Sequence, residues 1–159
     1  MIIPLLFSGS LFVTPAKDTV WWNTTGGEVT EHRDQTGATC SLMFYDNSGS
    51  VVFEWSDPGR TLVTAVDWNW QFPEDWKLPV AMQVGDVWLS NNGDSAIIPA
   101  VGHGNTVSFS VNQPVENLLA SASHIETKTT GGQLSINLRQ TKVGVLLAHA
   151  QQCRDVIRR

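Results

Sequence analysis

Two cysteines and four histidines carry most of the reactive chemistry in this chain, and their spacing decides what that chemistry can be. Cys40 stands in Thr39-Cys40-Ser41-Leu42-Met43-Phe44-Tyr45, a run of strand character, and Cys153 falls on the apolar stripe of a closing helical segment. A thiol nucleophile needs a thiolate beside a histidine at an accessible position. His149 lies four residues before Cys153, one helical turn away, and His32 lies eight residues before Cys40. Both cysteines, however, fall on faces that a fold would bury, and that favours a Cys40–Cys153 disulfide over a reactive thiol. Such a bond would staple the last helix to an early strand and imply an oxidising compartment, the periplasm or the cell exterior.

The remaining residue types give no catalytic set. His32, His103, His124 and His149 show neither His-x-His nor His-Glu-x-x-His spacing, so no metal site is assigned. His103 sits in Gly102-His103-Gly104, where an exposed imidazole is ordinary. There is no Gly-x-Ser-x-Gly elbow, no Ser-x-x-Lys motif and no glycine-rich phosphate loop before a helix. Asp46, Glu54, Asp57, Asp67, Glu74 and Asp75 could in principle supply a carboxylate pair for a hydrolase. Nearly all of them lie in turn sequences, where a carboxylate caps its own backbone. The reading is of a non-enzyme without a cofactor.

The chain has 159 residues, room for one domain with its own core. Charged residues make up 16%, against roughly 25% in an average soluble protein, and hydrophobic residues 42%. Net charge is −5, and the basic residues are scattered except for Arg154, Arg158 and Arg159 at the end of the last helix. That cluster complements a helix C-terminus. No basic stripe follows a phosphate backbone, so nucleic acid is not an expected partner. Residues 2–13 are mostly apolar and precede Thr14-Pro15-Ala16. Residues 1–16 read either as a signal peptide cut after Ala16 or as a first strand at residues 5–13. The stretch is too short to span a bilayer.

From residue 19 to 138 the sequence alternates short β-rich runs with explicit turns. Strands are predicted at 19–23, 29–33, 39–45, 50–55, 61–66, 78–84, 87–90, 95–100, 106–111, 124–129 and 133–138. Gly26-Gly27, Asp46-Asn47-Ser48-Gly49, Asp57-Pro58-Gly59, Asn91-Asn92-Gly93-Asp94 and Gly131-Gly132 separate them. This spacing predicts a single mainly β domain over residues 17–159, a sandwich or barrel of short antiparallel strands. A short helix is predicted at 113–122, with Pro114 in its first turn. An amphipathic C-terminal helix is predicted from Thr141 as N-cap, burying Val143, Leu146, Leu147, Ala150, Cys153 and Ile157 at a period of 3.6. Gly144 weakens it by about 1 kcal/mol.

Seven tryptophans stand out, four of them between residues 66 and 88. Trp68, Trp70 and Phe72 share one parity and on a strand would form a single aromatic face. Such rings either fill the core or form a platform that binds a partner. Trp76 lies in Phe72-Pro73-Glu74-Asp75-Trp76-Lys77, read as a charged, proline-bounded loop, and is the ring expected to be most exposed. Trp68, Trp70, Phe72 and Trp76 are therefore the candidate partner-binding residues.

The order of these features resembles the invasion-associated locus B family of small secreted bacterial proteins. The matching residues are the pair Trp21-Trp22, then Cys40 in a strand, a β-rich body, and Gln133-Leu134-Ser135-Ile136-Asn137-Leu138 leading into a helix at residues 142–150. The chain lacks the cysteine pair often found mid-domain in that family and carries Cys153 after the helix. The resemblance implies a β-sandwich exported from the cytoplasm of alphaproteobacteria, in some members linked to host-cell entry. It implies no catalytic residue. The leading expectation is a non-enzymatic periplasmic or secreted domain that binds another protein or a surface. An inhibitor or immunity-type protein whose loop plugs an enzyme is the second, and a hydrolase assembled from distant residues the third.

Overall fold

The structure, a computed structural model, describes residues 16–57, 60–90 and 96–158. Residues 1–15, with the proposed signal or first strand, lie outside that set, as do residues 58–59 and 91–95, on which two of the turns expected from the sequence fall, and residue 159. Eleven strands are described: β1 (Lys17–Thr24), β2 (Gly27–Asp34), β3 (Gly37–Tyr45), β4 (Gly49–Asp57), β5 (Arg60–Asp67), β6 (Phe72–Val84), β7 (Val87–Trp88), β8 (Ile97–Gly104), β9 (Thr106–Val111), β10 (His124–Thr129) and β11 (Gly132–Asn137). Two helices complete the domain, α1 (Glu116–Ser121) and α2 (Val143–Ile157).

All strands pair antiparallel in one sheet, ordered β1-β2-β3-β4-β5-β9-β8-β6-β10-β11, with β7 paired to β6. The alternation of side chains gives the sheet one dry face. Cys40, Leu42 and Phe44 of β3, Val51, Phe53 and Trp55 of β4, and Val107, Phe109 and Val111 of β9 all turn inward. On the other face Thr64 and Ser108 sit across from each other with hydroxyls 3.2 Å apart. The sheet does not close into a barrel: β1 and β11 each pair on one side only. It folds over instead, so that β11 rests against β4, with five strands between them in the pairing order.

Two prolines set where the ladders stop. Pro79 of β6 pairs with Pro99 of β8. Neither has an N–H, so the pair must be of the non-hydrogen-bonded kind, each ring facing the outer neighbour of its strand. On those outer sides the β6–β10 ladder ends at Ala81–Lys128 and the β8–β9 ladder at Val101–Ser108, each two residues from its proline.

The C-terminal helix covers the part of the dry face that no described strand covers. α2 lies on β3, β2 and β1, and buries Val143, Leu146, Ala150 and Cys153. Leu147 and Ile157 are only partly buried against the core. Contact with β2 is close enough to require glycine: a Cβ on Gly27 would lie 2.4 Å from Leu146 Cδ1. The Cys40–Cys153 disulfide joins α2 to β3, with Cα atoms 6.1 Å apart and a sequence separation of 113 residues. Among the described residues no helix is long and apolar enough to cross a membrane.

Three local expectations are corrected. The α2 N-cap is Lys142, and no side chain caps the helix. Thr141 belongs to the preceding turn, donating its N–H to the Leu138 carbonyl and accepting from Val143 N–H. The first helix starts at Glu116 because Pro114 and Val115 remain in the connection from β9. Residues 72–77 form the first half of β6 rather than a loop.

Because Leu146 is fully buried and Leu147 only partly so, the two leucines separate what α2 contributes. Leu146→Ala should destabilise by about 3–5 kcal/mol, and Leu147→Ala by about half as much or less, in urea unfolding followed by circular dichroism.

Candidate functional site

In an antiparallel meander, alternate turns fall at the same end of the sheet. The β1–β2, β3–β4 and β5–β6 turns therefore gather at one end. Hydrogen bonds tie them to the turn between β8 and β9: Asp67 N–H donates to the Asn105 carbonyl at 3.1 Å, and Trp68 N–H to the Ser48 carbonyl at 3.3 Å. Asp67 and Asp46 brace these turns as carboxylates in turn sequences do. Asp67 Oδ1 accepts from Asn69 N–H at 2.8 Å and Asp46 Oδ1 from Ser48 N–H at 2.7 Å. Both acids are thereby engaged with backbone, in keeping with their turn sequences.

At this end the candidate aromatics separate into two groups. Residues 68 and 69 are in the turn, so the shared parity of Trp68, Trp70 and Phe72 does not make a single face. Trp68 stands 61% exposed, while Trp70 and Phe72 are buried, at 2% and 9%, with ring centroids 5.7 Å apart. The buried pair packs under the β10–β11 turn, where a Cβ on Gly131 would meet the Phe72 ring at 2.9 Å. Trp76 is 48% exposed, second to Trp68 among the tryptophans, which corrects the expectation that it would lead.

A bulge produces the display of Trp76. Between the pairs Phe72–Gly104 and Trp76–Gly102, β6 advances four residues while β8 advances two. The two extra residues push Pro73, Glu74 and Asp75 into solvent. Asp75 adopts φ 52°, the left-handed region that aspartate tolerates better than most residues. Bulges of this kind re-aim side chains at strand ends. Next to the Trp68 turn, a cleft of ≈480 Å³ opens between the β1–β2 and β3–β4 turns, with Tyr45, Asn47, Asn137 and Gln140 in its walls.

The histidines do not converge. His149 stacks on Trp22 with centroids 4.5 Å apart, His124 faces the Ser123 hydroxyl, and His103 is exposed near the β8–β9 turn. Among the described residues no group of three or more His, Cys, Asp or Glu side chains is arranged to hold a metal ion. His32 alone has a charged setting: its Nδ1 lies 2.5 Å from Asp18 Oδ1 on β1, and its Nε2 3.6 Å from Asp34. The sequence reading named Trp68 as a candidate but missed its place in a turn, although the flanking Asp67 and Asn69 are the residues that mark a tight turn.

No protein-family model, curated protein or solved structure matches this chain.

The hydrogen bond to Asp18, with the negative charges of Asp18 and Asp34, raises the His32 pKa above its ordinary value of 6.5. Hydrogen bonds from the Thr36 hydroxyl and backbone lower the Asp34 pKa. For a raised histidine the stabilisation is full below the unfolded-state value and fades as pH climbs through the folded value. The β1–β2 contact at Asp18 should therefore loosen from pH 6.5 upward. An NMR titration should place His32 above 6.5 and bring it down in Asp18→Asn; an unshifted His32 would exclude the pairing.

Proposed function

We propose that this chain is a non-enzymatic binding domain of an oxidising compartment, periplasmic or secreted, that engages another protein through the end of the sheet carrying Trp68 and Trp76. The observation that carries this reading is the contrast within one short segment. Trp70 and Phe72 anchor it in the core, and Trp68 and Trp76 on either side present large indole surfaces to solvent. A ring held by a fixed backbone loses little freedom on binding, and for that reason tryptophan is enriched among residues that dominate interfaces. The disulfide supports the compartment, because such bonds persist where thiols are not kept reduced. The resemblance to the invasion-associated locus B family points the same way.

A second reading, an inhibitor-like plug, is favoured by one feature. The bulge at Pro73, Glu74 and Asp75 is exposed and fixed at both ends by strand pairing, as a segment that enters an active-site cleft must be. Both readings place the contact on the same surface.

Paired substitutions test it. Trp68→Ala and Trp76→Ala should each leave stability within about 0.5 kcal/mol of the parent and reduce capture of a cross-linked partner by at least about 2 kcal/mol, roughly thirtyfold. Trp70→Ala should instead cost about 3–5 kcal/mol of stability. Unchanged capture by both surface variants would remove the proposal.

A further inference from the structure

At the opposite end of β5 from Trp68, a cavity of ≈150 Å³ lies between β4, the connection from β9 to α1, and α2. Its wall includes Trp55, Arg60, Thr61, Gln113, Glu116 and Arg154. Arg154 is held from two sides. Its Nη1 pairs with Glu116, and its guanidinium lies over the Trp55 ring, 5.0 Å from the centroid. With Arg60 also in the wall, two cations meet one carboxylate among the described residues.

The hydrogen bonding here is incomplete in one direction. Among the described residues five buried side-chain polar atoms lack a partner, and three belong to this wall: Trp55 Nε1, Gln113 Nε2 and Arg154 Nε. All three are N–H donors, and Trp55 is 95% buried (5% exposed). Buried donors are nearly always satisfied, so three orphans of one polarity around one cavity call for an acceptor. A solvent molecule occupies about 30 Å³ of liquid, so the space accommodates a group of a few heavy atoms. Excess positive charge and unmet donors together specify its chemistry.

We propose that this cavity binds a small oxyanion, a carboxylate or phosphate group, through Arg60, Arg154, Trp55 and Gln113. The three nitrogens are closed to solvent in the present arrangement. Gln113 is only partly buried, and binding as proposed requires its side chain to turn aside and admit the anion. The site is separate from the tryptophan surface and stands whether or not that surface binds a protein.

The test is an NMR titration of the Trp55 indole N–H in the intact, oxidised chain, assigned by Trp55→Phe. Sodium acetate and sodium phosphate are added in separate series, with sodium chloride holding ionic strength constant. A saturable shift with Kd on the order of 1 mM or tighter is expected; acetate responding identifies a carboxylate site, phosphate responding a phosphate site. Gln113→Leu should weaken binding at least tenfold without lowering the anion-free melting temperature, since it removes an unmet donor. Arg60→Gln, a change at an exposed residue, should weaken binding several-fold. No saturable shift with either anion, a shift that chloride matches, or binding unaltered in both variants would overturn the proposal.

Discussion

The docking of α2 onto β1, β2 and β3, fixed by the Cys40–Cys153 bond, is the constraint on which the rest of this domain depends. A sheet with one apolar face needs something against that face. Over β4 the sheet supplies its own cover, because it folds far enough to lay β11 there. Over the first three strands no described strand returns, and α2 covers Val29, Cys40 and Leu42. The apolar stripe of α2 answers that need, and Gly27 lets the helix approach. The helix arrives last in the chain, so its docking closes a loop of more than a hundred residues. A covalent bond across that loop removes much of the unfolded chain's freedom.

With the covered side secured, the two ends of the sheet differ in character. At one end, backbone bonds from Asp67 and Trp68 lock three turns together, and buried Trp70 and Phe72 fix the bulge that displays Trp76. At the other, the connection from β9 and the last turns of α2 meet around Arg154, Glu116 and Trp55, where donors outnumber acceptors. The prolines at 79 and 99 end two ladders early, leaving short strand edges that cannot be extended by another chain's strand at those positions.

Much of this was legible in the sequence for physical reasons. Alternation such as Val107-Ser108-Phe109-Ser110-Val111 and the punctuating glycine and asparagine turns located part of every described strand, since a half-buried strand has few other ways to be written, but left out residues 72–77 of β6 and 101–104 of β8. The cysteine pairing was legible because both residues sat on stripes that had to be buried. The aromatic segment was not legible to the same degree. Parity assumes a continuous strand, and the Asp67 turn breaks it between Trp68 and Trp70. The bulge at residues 73–75 depends on the partner strand β8, which no local pattern reveals. The orphaned donors around Arg154 were invisible for the same reason: they come from β4, the β9–α1 connection and α2, brought together only by the fold.

The most direct measurement compares equilibrium urea unfolding of the oxidised chain with that of the Cys40→Ala, Cys153→Ala double variant. If the bond secures the docking of α2, its loss should lower stability by about 4–5 kcal/mol, as expected for a loop of this length, with the α2 amides losing hydrogen-exchange protection first. A loss below about 1 kcal/mol, with α2 as protected as before, would contradict the dependence of the fold on this bond.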